Sequence, residues 1–368
     1  MAFPVAVIQP TIDAGDVEQN RQTLTRATAE AASKGARLIV FPEASISDLF
    51  RGAESLAETI PGPSTELIAR VAGAAVVVLP LLERGADGKV YSSCVLVSAD
   101  GVRGVARKTH LYRDATGHDS FRDADLLAAG SELSLIDLGD ARVGILIGFD
   151  AEFPEAFRAL ALRGADMICV VQNGLEPDQK FLCAMALRNR VPLLISNRLG
   201  FRKVYPAVPE FSAGALSLLQ DRDGTFLMRS RGGSVIIDEN GRVIAQPRQN
   251  VQTNLESAAG VAFGAQPIAH FQEEEALTAS FRVDDLRVAR LTSPFIAERR
   301  EELYGGAPTP TAPEISATPT TSATPTILAE PPTSETSAAK TKKTKSAAPK
   351  VPKEPKAPRA RAKKPKTE

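Results

Sequence analysis

Runs of strand length that are apolar from end to end recur through most of the chain, and they constrain its fold more than any other feature. "AVIQP", "LIVFPE", "AAVVVLPLLE", "ARVGILIGF", "ADMICVVQN" and "PLLISNRLG" carry little of the polar alternation of a half-solvated strand. Such runs read as buried strands. Helical spacing fills several of the gaps between them. In "GDVEQNRQTLTRATAEAASKGAR", Asp16 can cap, Leu24, Ala27, Ala31 and Ala32 share a face, and Gly35 stops the helix. "PSTELIARVAG", with Ser64 or Thr65 as cap, "PEAFRALALRG" and "KFLCAMALRNR" follow the same pattern. Hairpins interrupt the alternation. "KVYSSCVLVSADGVRGVARKTHL" turns at Ala99-Asp100-Gly101, and a later strand-rich region turns at Asp223-Gly224 and Asn240-Gly241. A last strand, "EALTASFRV", precedes the helix "DDLRVARL". Mixed sheets covered by helices fit this order better than a closed parallel barrel.

The charge is divided. The 44 basic and 44 acidic residues cancel overall, but residues 340–368 hold 12 Lys and Arg against 2 Asp and Glu. That segment carries +10, and residues 1–339 carry −10. Between Gly305 and Ala339 the chain is mostly Pro, Thr, Ser and Ala, with too little apolar surface to offset the entropy of ordering. The expected organisation is an ordered domain over 1–305 and a disordered tail over 306–368, Pro/Thr/Ala-rich and then Lys-rich. Cys94, Cys169 and Cys183 are too few for a disulfide framework and read as reduced, buried thiols. With no signal-peptide pattern and no apolar stretch of about 20 residues, a cytoplasmic protein without a membrane span is expected.

Three predicted strands end on notable residues: Glu43 after "LIVFP", Lys108 after "GVAR" and Gly148 after "VGILI". Strand ends on one edge of a sheet can converge on a cleft. In "VGILIGFDAEFPEAF" the strand turns at Phe149-Asp150 and enters a helix through Pro154-Glu155. Such an elbow is a common place to present a nucleophile, yet its apex, Gly148, has no side chain. A plain reading stands beside the chemical one: Glu43 and Lys108 as an ion pair that only supports the fold, Gly148 as an elbow residue tolerant of strained dihedrals, and Asp150, Glu152 and Glu155 as charges at a helix N-terminus. His110 and His118 have no metal-ligand spacing with other His or Cys, so no metal site is expected.

The order "AVIQP", "GDVEQN", "GARLIVFPE", "IPGPSTELIARVA", "RKTHLY", "VGILIGFDAEFPE", "ALRNRVPLLISNRLG", "GGSVIIDENGRVIAQ" and "RREELY" resembles the nitrilase, or carbon-nitrogen hydrolase, superfamily from about Val5 to Tyr304. The resemblance implies an α+β fold, a four-layer αββα sandwich that pairs into a homodimer. It implies a Glu-Lys-Cys triad acting on small amides, nitriles or carbamoyl groups, without a cofactor. Glu43 matches the general base, Lys108 the cation beside the developing oxyanion, and Gly148 the nucleophile position, so the Cys is absent. A supporting carboxylate falls on Asp123, counted back from Gly130. Asp123, Phe149 and Asp150 are the candidate substrate-binding residues. Ser92 stands where the family often has asparagine, and the stretch from Pro206 to Arg229 is longer than the usual connection.

Three functions follow as expectations. The first is a catalytically impaired homologue that binds a small amide, nitrile or carboxylate for regulation or assembly. The second is an active hydrolase using Glu43-activated water or another nucleophile. The third is a scaffold whose basic tail contacts nucleic acid or an acidic partner.

Overall fold

A computed structural model describes residues 2–112, 123–174, 177–204, 218–220, 226–251, 270–272 and 274–304. The tail, His118 and the Asp223-Gly224 turn lie outside these residues. The first half runs β1 (Ala2–Gln9), α1 (Val17–Ser33), β2 (Leu38–Val40), α2 (Pro63–Val71), β3 (Val76–Arg84), β4 (Val90–Ser98) and β5 (Gly101–Arg107). The second runs α3 (Asp123–Leu126), β6 (Leu135–Asp137), β7 (Arg142–Ile147), α4 (Pro154–Leu162), β8 (Met167–Val171), α5 (Gln179–Asn189) and β9 (Leu193–Ser196). After these come β10 (Leu199–Val204), β11 (Leu218–Gln220), β12 (Phe226–Arg231), β13 (Val235–Ile237), β14 (Val243–Ala245), β15 (Gln249–Val251), β16 (His270–Gln272) and β17 (Glu275–Arg282), then α6 (Val283–Leu291) and α7 (Pro294–Ala297).

Two six-stranded mixed sheets form the body, ordered β17-β1-β2-β3-β4-β5 and β14-β13-β9-β8-β7-β6. Each has three parallel strands at its centre, β1-β2-β3 in one and β7-β8-β9 in the other, flanked by antiparallel partners. The unbroken apolar runs now have a cause: alternate residues of a strand serve different layers. Val5, Val7, Leu38 and Val40 of one sheet meet Val143, Ile145, Met167 and Cys169 of the other in a shared inner core. Ala6, Ile8 and Ile39 turn outward to the helical layer with Leu24 and Ile68. Leu146, Ile168 and Val170 do the same against Phe157, Leu160 and Leu182. The layers are therefore helix, sheet, sheet, helix: the expected αββα sandwich.

Several local expectations change. Helix α2 begins at Pro63 with Gly62 as its cap, because proline suits the first helical position; Thr65 Oγ1 accepts from Gly62 N at 2.8 Å from within the helix. "PLLISNRLG" is two strands broken at Asn197-Arg198, and β10, β12 and β11 make a separate three-stranded sheet. Cys94 and Cys169 are buried as expected, but Cys183 is only partly so. No helix among the described residues is long and apolar enough to cross a membrane.

The break at Arg198 has a use. Its guanidinium is fully buried and pairs with the equally buried Asp48 at 2.6 Å. It also donates to the carbonyls of Ile12 and Phe201. Asp48 belongs to the loop after β2, so the pair ties that loop to the end of β9. Removing one partner of a buried pair leaves an uncompensated charge. Arg198→Met should lower unfolding stability by about 3–5 kcal/mol in urea titration. A loss below about 1 kcal/mol would mean that water reaches Asp48 and that the pair does not hold the loop.

Candidate active site

The three strand ends converge. Glu43 follows β2, Lys108 follows β5, and Gly148 closes β7 and opens a single 3-10 turn, residues 148–152. Lys108 Nζ lies 3.0 Å from Glu43 Oε1 and 2.5 Å from Asp123 Oδ2, and all three side chains are buried. Ser92 Oγ donates to Glu43 Oε1 at 3.0 Å. Asp123, at the start of α3, also accepts from Tyr112 N at 3.1 Å. The backbone of Glu43 crosses between the sheets, its N–H donating to Gln172 O at 3.1 Å, just past β8.

Gly148 faces this cluster. It has φ +50°, in the left-handed region where a side chain is strained, and a Cβ built there would overlap Glu43 Oε2 and stand 2.9 Å from Lys108 Nζ. Any side chain at position 148 would thus press on both the carboxylate and the ammonium.

Asp150 serves the neighbouring segment. Its Oδ1 accepts from Thr109 Oγ1 at 2.7 Å and His110 N at 2.7 Å, and lies 2.8 Å from His110 Nδ1. Its Oδ2 accepts from Ile147 N at 3.2 Å. This carboxylate clamps the exit of β5 to the elbow and so sets the approach of Lys108 to Gly148. Phe149 packs edge-on against Tyr112 and Phe153, and Phe153 stacks on His110 with centroids 4.0 Å apart. Ser92, Thr109 and His110 had no spacing to mark these roles, because their partners come from other strands. Helix α4, by contrast, starts from Phe153 without a side-chain cap, with Glu155 in its first turn.

The charges decide the protonation states. Burial raises the Glu43 carboxyl above its ordinary range; Lys108 opposes this and Asp123 adds to it. Burial works against the Lys108 ammonium, but Glu43 and Asp123 together outweigh it and raise its pKa, so it stays charged. The thiols move away from reactivity. Burial pushes Cys94 and Cys169 up strongly, and Cys183 is raised too. Among the described residues, no three His, Cys, Asp or Glu side chains gather as a metal site.

The sequence profile of the carbon-nitrogen hydrolase family matches residues 4–258, and the chain belongs to that family. An "(R)-stereoselective amidase" from a Pseudomonas species is 27% identical over 298 residues, 79% of this chain and 89% of the relative. A "Nitrilase" of Pyrococcus abyssi is 32% identical over 206 residues, 53% of this chain and 75% of the relative. A Pseudomonas protegens "Hydrolase in pqqF 5'region" is 36% identical over 182 residues, 48% of this chain; the match spans 60% of that relative's length. Solved structures share the fold. A CN-hydrolase superfamily protein of Xanthomonas campestris, with an arsenic adduct in its active site, aligns with a TM-score of 0.59 at 19% identity, covering 82% of this chain and 98% of that one. A Nesterenkonia amidase, with acrylamide added at its active-site cysteine, aligns at 0.56 and 19% identity with the same coverage.

Two outcomes test this electrostatic account. Lys108→Met leaves two buried carboxylates without their cation and should lower stability by about 3–5 kcal/mol at pH 7. The sign follows from the protons. In wild type, Lys108 has a raised folded pKa, so its contribution is complete below the unfolded value and is lost only in alkali. In the mutant, the buried Glu43 carboxyl loses the ammonium that opposes its rise, and the penalty of its charge fades as it protonates. Urea titrations should therefore show the mutant recovering stability relative to wild type between pH 7 and pH 5; a constant gap would refute the shared-cation picture. Gly148→Ala should cost at least about 1 kcal/mol from its φ alone, and a wild-type Tm would show that the elbow relaxes freely.

Proposed function

We propose that the chain is a carbon-nitrogen hydrolase homologue in which glycine has replaced the attacking thiol, and that its cleft binds a small amide or carboxylate without cleaving it covalently. The observation that carries this reading is the direction of the missing Cβ at Gly148, toward Glu43 Oε2 and Lys108 Nζ. A thiol there would lie beside a buried carboxylate able to take its proton and an ammonium able to stabilise an oxyanion. Glycine supplies neither nucleophile nor proton. Cys94 and Cys169 are buried in the inner core with raised pKa values, so neither is placed to substitute. The Lys108 ammonium can still hold a carboxylate or a carbonyl oxygen, which suits a regulatory or assembly role.

One feature favours hydrolysis by a second route. The raised Glu43 carboxyl is a better base than an ordinary glutamate and could activate water directly. The two readings part in one experiment. Pure protein is incubated with short-chain amides and nitriles, with turnover and intact mass both followed. The expected result is no turnover and no acyl adduct, while Gly148→Cys gains turnover by about 10³-fold or more over wild type. Wild-type turnover that disappears in Glu43→Gln would establish the water route and overturn the binding-only reading.

A further inference from the structure

The charge division along the sequence has no part in the chemistry around Lys108. We propose that residues 340–368 are a binding segment for double-stranded nucleic acid, engaging the phosphate backbone without sequence preference.

Twelve basic residues stand against two acidic ones, and no aromatic is present. Without aromatics the segment cannot stack on unpaired bases, which turns it from single strands toward the phosphates of a duplex. Its prolines are periodic. Pro349, Pro352, Pro355 and Pro358 recur every third residue, and each is followed by a basic one: Lys350, Lys353, Lys356 and Arg359. Val351 is the segment's one large aliphatic residue, too little to insert into lipid. The third-residue repeat thus spaces these four cations evenly along the sequence. A duplex carries a charge about every 1.7 Å of its axis, so each cation meets phosphate and releases condensed counterions. An acidic polypeptide has a lower charge density and yields less from the same exchange.

The rest of the chain sharpens the proposal. Residues 1–339 carry −10 and would be repelled by the same polyanion. Residues 305–339 contain no Lys or Arg and set the two apart in sequence. Contact therefore falls to the tail.

The test uses the full chain throughout. A labelled random-sequence DNA duplex of about 30 base pairs, long enough for several phosphate contacts, is titrated by anisotropy from 50 to 200 mM salt. The expected result is binding that weakens by about 10³-fold over this range, as for six phosphate contacts, and is equal for unrelated sequences. A full-length variant with every Lys and Arg of 340–368 changed to Gln should lose at least about tenfold in affinity at the lowest salt, with its salt slope largely flattened. Wild-type affinity in that variant would overturn the proposal, as would a wild type that does not bind. Tighter binding to polyglutamate or to anionic vesicles than to the duplex, at matched charge, would also overturn it, assigning the segment to an acidic protein or a lipid surface.

Discussion

An ammonium taken out of water must be given carboxylates, and in this protein that requirement falls on Lys108. Burial alone would strip its proton. Glu43 and Asp123 keep it, and each arrives from a different part of the chain: one from the end of a parallel strand, one from the short helix beyond the hairpin. The charged centre therefore forms only if β2 and β5 of one sheet end at the same edge and α3 folds back against it. The inner core of Val5, Val7, Ile145 and Met167 supplies the apolar pressure that holds this edge together, and the ion cluster selects one alignment of it.

The same physics explains how such a cluster can outlive its chemistry. With no side chain at Gly148, Glu43 and Lys108 meet at 3.0 Å. Losing Lys108 would leave two buried carboxylates without a cation, so stability favours keeping it whether or not a bond is ever cleaved. The presence of a buried Glu43–Lys108 pair is thus weak support for catalysis, and the residue at the elbow discriminates better. A left-handed φ suits glycine at no cost, whereas a thiol there must be held under strain for a purpose.

The sequence made the architecture legible because the layers impose a local pattern. Strands buried on both faces read as unbroken apolar runs, and Asp16 caps α1 as expected, accepting from Gln19 N. Glu43, Lys108 and Gly148 stood out because each ends such a run, and Asp123 because the family places a carboxylate before a glycine. The contacts that orient them were hidden. Asp150 reaches back some 40 residues to Thr109 and His110, and Arg198 finds Asp48 across the sandwich. No periodicity links such pairs, since their meeting depends on strand order. The small sheet of β10, β12 and β11 was equally opaque, because the break at Asn197-Arg198 looks like the continuation of one strand.

The anchoring of the Glu43 loop bears on how a guest could enter. Loop 43–49 is held on the far side by Arg198 and through Gln172, so it is ill suited to swing aside as a hinged flap. Admission at that wall would require the two sheets to separate slightly as whole layers, a motion the inner core resists. A ligand of the kind proposed, passing that wall, would exchange slowly and with a steep dependence on temperature.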